Sequence, residues 1–232
     1  MTGKNVIVSA VGVSAGVATA KATITTRTNL AMPHLMAAAR FSREVGAIEV
    51  ANAGAPFGPF WEDMRDYATA SVLMSAASAE CYANELYSDR EKIFSAHDAT
   101  VLSKFWETFE KKSTFEKLDF ALTLRGRPAL DRSSSLAKSM EKLITLRNAL
   151  IHFKPEWSHE LNRHKKVSQS LANEFVPANV TKDTFIFPRG WVGHSCTVWA
   201  VTTVIDFIED FERRADLVGR TERTKWGPKL TP

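Results

Sequence analysis

Residues 140–153, MEKLITLRNALIHF, hold the combination of side chains in this chain best suited to chemistry. At about 100° per helical residue, Met140, Leu143, Ile144, Leu150 and Ile151 fall within about 60° of Arg147. The wheel therefore puts Arg147 in the middle of an apolar stripe, with Asn148 about 100° and His152 about 140° round on one side. A guanidinium there cannot shed its charge and requires a partner. Three partners are open: a carboxylate of another helix, Glu80 or Glu85; a second copy of the chain across a dimer seam; or a phosphate, whose geometry the guanidinium fork matches. The plainer alternative is an Arg–Glu pair that fixes helix register, with His152 a half-exposed histidine near the negative end of the helix dipole.

These residues require a helix that ends close to His152, and the sequence supplies one. Ser133–Ser135 offer an N-cap, the run SLAKSMEKLITLRNALIHF follows, and Pro155 stops it. Upstream, residues 61–87 lack Gly and Pro and are dense in Ala and Ser, which predicts a central, buried helix that lets another backbone approach closely. Shorter helices are expected at about 33–45 and 99–111, and another after Ser113-Thr114-Phe115-Glu116, a capping box, ending at Arg125–Pro128. Residues 51–59 read as a loop. A polar helix is expected at about 158–171, an ordered loop or short hairpin at 172–192, and a last amphipathic helix capped by Ser195.

The fold class expected is all-α: a helical bundle over 60–215 with a C-terminal tail at 216–232. Residues 1–50 are read as an N-terminal arm, a β-hairpin plus the short helix, because the valines at 6, 8, 11, 13 and 17 suit β structure. The same stretch imitates a secretory signal poorly, since Ser9, Gly12, Ser14 and Gly16 interrupt any apolar region, so a cytoplasmic protein is expected.

Arg147-Asn148-Ala149-Leu150-Ile151-His152 resembles the R-x4-6-H motif of HEPN domains, near the end of a long helix late in a helical bundle. The string Ala76–Leu86, with its small residues followed by Glu80 and then Asn84-Glu85, is similar to the first bundle helix of some members. The resemblance implies a HEPN-like bundle and metal-independent RNA cleavage by a homodimer that joins two motifs in one cleft, with no cofactor. It implies His152 as general base or acid at the ribose 2′-hydroxyl and the leaving 5′-oxygen, since imidazole titrates near neutrality. Arg147 would stabilise phosphoryl charge, Asn148 would position His152 or the phosphate, and Glu80 would orient Arg147, with Asn84 and Glu85 supporting. RNA would be held by Lys154, Arg163, Lys165 and Lys166, with His164, Arg125, Arg127 and Arg132 nearby and Trp157 and Trp191 available to stack bases. A toxin or defence role, with an antitoxin or regulatory protein as partner, goes with the resemblance. The rival is a non-catalytic module of the same fold that binds RNA, nucleotide or a protein; a third reading is an unrelated all-α protein.

Composition limits other classes. The 232 residues are 44% hydrophobic and 24% charged, the mix of a globular chain with a core. No apolar run reaches the roughly 18 residues of a membrane span, so no membrane is expected. Cys81 and Cys196 form no CxxC pair, and histidines 34, 97, 159, 164 and 194 form no HExxH set, so no metal site is expected. His194-Ser195-Cys196 is better used as a helix start than as a nucleophile with its base. Neither phosphate-binding glycine motif, G-x-x-x-x-G-K-[ST] or G-x-G-x-x-G, is present. A net charge of +4 permits a polyanionic partner without identifying one.

Overall fold

The Ala/Ser-rich stretch folds as one helix, Phe60–Ser88, and the segment before it as another, Ala31–Ala51. In this computed structural model the described residues are 26–157, 159–160, 162–178, 185–221 and 223–232, with the backbone alone described at 223–226. Within them the helices are α1 (Ala31–Ala51), α2 (Phe60–Ser88), α3 (Arg90–Ile93), α4 (Ala99–Phe109), α5 (Thr114–Leu124), α6 (Ser135–Ile151), α7 (Arg163–Ser170), α8 (His194–Ala215) and α9 (Arg223–Leu230). The described residues are mostly helical and contain no strand. The hairpin expected near the N-terminus lies outside them.

Small side chains decide how α1 and α2 meet. Ala38, Ala39, Ala68 and Ala79 are buried, and two hydroxyls of α2 reach backbone carbonyls of α1: Ser71 Oγ donates to Ala38 at 3.0 Å and Ser78 Oγ to Ala31 at 2.8 Å. Each bond satisfies a hydroxyl that would otherwise cost about 1–3 kcal/mol to bury. The Ser42 and Thr197 hydroxyls lie 2.7 Å apart, joining α1 to α8. Around this three-helix centre, α5 and α6 pack against both α2 and α8, and Met140, Leu143 and Leu146 of α6 are fully buried.

Side chains from elsewhere in the fold close several helix ends. Glu85 of α2 accepts from the N–H of Leu30 and Ala31 at 2.7 and 2.8 Å, capping α1. Glu49 of α1 accepts from His194 N–H at 2.9 Å, capping α8. Carboxylates at these positions also meet the positive end of the helix dipole. The Ser113–Glu116 capping box forms as expected, and Ser134 is the cap that starts α6.

Four expectations need correction. First, α1 belongs to the bundle: it is longer than 33–45 and buries Leu35, Ala38, Ala39 and Val45, so residues 31–50 are not an arm. Gly46 lies inside it, and its lack of a Cβ admits the His194 ring, whose Nε2 would stand 3.0 Å from such an atom. Second, α7 starts at Arg163 instead of 158. Third, Ser195 does not cap α8: Gly193 is the N-cap, and Ser195 Oγ accepts from Val176 N–H at 3.0 Å. Fourth, the tail forms α9, whose Leu230 is buried beside Leu35 and Ile208.

The α1–α2 seam generates a stability prediction. Ser78→Val should cost about 1–3 kcal/mol through overpacking, besides removing the bond to Ala31. At roughly 2–4 °C per kcal/mol for a chain of this size, thermal denaturation should show a loss of several degrees, and Ser78→Ala a smaller one.

Candidate active site

Helix α6 buries the row Ala137, Met140, Leu143 and Leu146. The row turns by about 60° with each step of three residues. At its Leu146 end Arg147 therefore stands about 100° round, on the border of the covered side and not in its middle, although Met140 and Leu143 further up the helix lie within about 40° of it. The reason is that the apolar positions cover a broad arc while the bundle covers only one side of it. Ile144 is left half-buried and Ile151 is 49% exposed. Arg147 consequently keeps a third of its side chain in solvent.

Its guanidinium has two neighbours. One amino group donates to Asn148 Oδ1 at 3.0 Å and the other lies 3.7 Å from Glu80 Oε2, half-exposed on α2. A pair this open contributes about 0–1 kcal/mol to stability; its consequence is orientation. Glu80, Arg147 and Asn148 thus come together, as the sequence suggested. Asn84 and Glu85 do not join them. Asn84 Oδ1 accepts from Lys117 Nζ at 2.9 Å, and Glu85 is spent on the α1 cap. Burial pushes the Lys117 ammonium below its ordinary pKa, against the opposing pull of Glu80 and Glu110.

His152 is the C-cap of α6, its N–H donating to Asn148 O at 2.9 Å. Its ring is exposed and has no partner among the described residues. It lines a groove of about 380 Å³ together with Asn148, Lys154, Arg163 and Lys166. None of those three cations has a carboxylate partner among the described residues.

What brings Arg163 and Lys166 back over α6 is Glu156, which sequence reasoning missed. Its carboxylate accepts from the N–H of Asn162, Arg163 and His164 at 3.0–3.1 Å, which begins α7 at that point. Desolvation opposes its charge, but the three donors outweigh it and hold the carboxyl below the usual glutamate range. The signal available was an acid at the right distance before a polar helix, too general to single out.

Of the other expected RNA-binding residues, only His164 also lines the groove. Lys165 is exposed outside the groove lining. His164 is buried, stacked against Phe153 at 5.3 Å, with Nε2 2.9 Å from Lys154 O; it anchors the returning chain. Arg125 donates to the carbonyls of Ile93, Ala215 and Asp216, Arg127 pairs with Asp216, and Arg132 pairs with Asp119 and Glu141. Trp191 is buried and bonded to Pro188 O, whereas Trp157 is 75% exposed.

No family model, no curated protein and no solved structure matches the chain. Among the described residues no cluster of His, Cys, Asp or Glu could hold a metal ion, and no helix is long and apolar enough to cross a membrane.

The Glu156 cap has a pH signature. A carboxyl depressed in the folded state contributes stability above its unfolded pKa, and that contribution is lost as pH falls through the folded value. Protection of the amides of Asn162, Arg163 and His164, measured against their intrinsic exchange rates, should therefore fall on acidification below the glutamate range, and Glu156→Gln should lower it at neutral pH. Unchanged protection in that variant would rule out the cap as the organiser of the groove wall.

Proposed function

We propose that the chain is a metal-independent endoribonuclease of the HEPN type, working as a homodimer. The observation that carries this reading is the groove: His152 shares it with Asn148 and three cations, none of the four ionisable side chains having a partner carboxylate among the described residues, beside an arginine held by Asn148 and Glu80. A cationic groove binds a phosphate chain, and an exposed imidazole there can move a proton.

In this mechanism His152 removes the proton of the ribose 2′-hydroxyl as its oxygen attacks phosphorus. The P–O5′ bond breaks, and a protonated imidazole, from the same copy or its twin, returns a proton to the leaving oxygen. Products are a 2′,3′-cyclic phosphate and a 5′-hydroxyl. Arg147 stabilises charge on the non-bridging oxygens, and Asn148 and Glu80 hold it in place. DNA lacks the nucleophile and is not a substrate. The half-open face of Ile144, Arg147 and Ile151 is the seam we assign to the second copy. A role in defence or as a toxin held by a regulatory protein fits such an activity.

Purified protein in excess EDTA should cut a mixed-sequence RNA. His152→Ala should lower the rate about 10²–10⁴-fold and Arg147→Ala about 10²–10³-fold; equal cleavage by all three proteins would overturn the assignment. RNA bound without cleavage would favour the binding-module reading instead. Replacing Lys154, Arg163 and Lys166 with Ala should flatten the dependence of log affinity on log salt by about 2, from three charges at about 0.7 each on a single strand.

A further inference from the structure

The segment that carries His152 out of α6 has two sides. His152 and Lys154 line the cationic groove, while Phe153 and Pro155, alternating with them, line a second cleft of about 890 Å³. Its wall includes Phe57, 61% exposed, tilted against Trp61 with ring centroids 5.2 Å apart. Phe153 is 48% exposed, with its ring backed by His164. Arg65 and Arg189 also line the cleft. Of its two carboxylates, Glu62 and Glu156, the latter is committed to the α7 amides.

We propose that this cleft receives an unpaired nucleobase of the nucleotide next to the phosphate held in the groove, so that the substrate is single-stranded RNA. The inference rests on reading the groove as a ribonuclease site. Two observations select this ligand. The cleft has ample room for a planar group, and the exposed rings of Phe57 and Phe153 both line it. The cleft also lies one residue away, across the 152–155 segment, from a site built for an anion. A flat ring joined to a phosphate by a short link is the chemistry that fills both at once, and a nucleotide within a strand has that form. In a duplex the base is stacked and paired, so it cannot enter.

The test uses a short 2′-O-methyl RNA strand, which lacks the nucleophile and is bound without being cut. Binding is read by anisotropy of a labelled strand, and by intrinsic fluorescence, since Trp61 and Trp191 line the cleft. Phe57→Ala and Phe153→Ala should each weaken binding about 5- to 100-fold, and Phe57→Tyr should retain it. An abasic position at one place in the strand should cause the same loss in wild type and little further loss in Phe57→Ala. A duplex of the same sequence should bind more weakly.

If both Ala variants and the abasic strand bind as wild type does, while loss of Lys154, Arg163 and Lys166 still weakens binding, the base subsite is overturned and the groove reading stands. If loss of those cations has no effect either, the groove reading fails with it. Phe57-dependent binding of AMP, without binding of the strand, would overturn RNA in favour of a free nucleotide.

Discussion

The close approach of α1 and α2 is the constraint on which the rest of the molecule depends. It is possible because alanines and serines line the seam, and two serine hydroxyls complete their hydrogen bonds on α1 carbonyls. Once Ser71 and Ser78 face α1, the helical repeat turns Glu80 about 200° from Ser78, to the opposite side of α2. That side meets α6. The meeting of Glu80 with Arg147 is thus a consequence of how α2 is held, and a bulkier seam would shift the acid relative to the guanidinium.

The second determinant is where α6 stops. With Pro155 beyond it, the helix ends at Ile151 and His152 becomes its C-cap, outside the packed bundle. Glu156 then gathers three amides and begins α7, and His164 is driven into the core between Phe153 and Phe187. These contacts bring Lys154, Arg163 and Lys166 to one groove with His152. The cations stay there, exposed and without ion-pair partners among the described residues, an arrangement suited to a polyanion.

Much of the helical pattern was legible because its signals are local. The breaker-free Ala/Ser run, the Ser113 box, the Ser134 cap and Pro155 each act within a few residues. What was not legible depends on contacts between distant segments. Gly46 serves inside α1 as the place where the His194 ring of α8 packs closely, and α9 forms despite Gly227 and Pro228 where Leu230 packs on α1 and α8. Within the site, the helical wheel identified Arg147, Asn148 and His152 but not that the covered side of α6 drifts towards Leu146 near its end. The uses of Asn84 and Glu85 were hidden because Lys117 and the α1 amides are distant in sequence.

The central claim is that the groove at His152 performs chemistry on a ribose 2′-hydroxyl. It is tested most directly with an RNA oligonucleotide cut at a mapped linkage, compared with the same strand carrying a single 2′-deoxy nucleotide at that linkage. The account predicts cleavage of the first to cyclic phosphate and 5′-hydroxyl ends in EDTA, and no cleavage of the second at that position. Cleavage of the deoxy linkage, or 5′-phosphate products from the RNA, would contradict it.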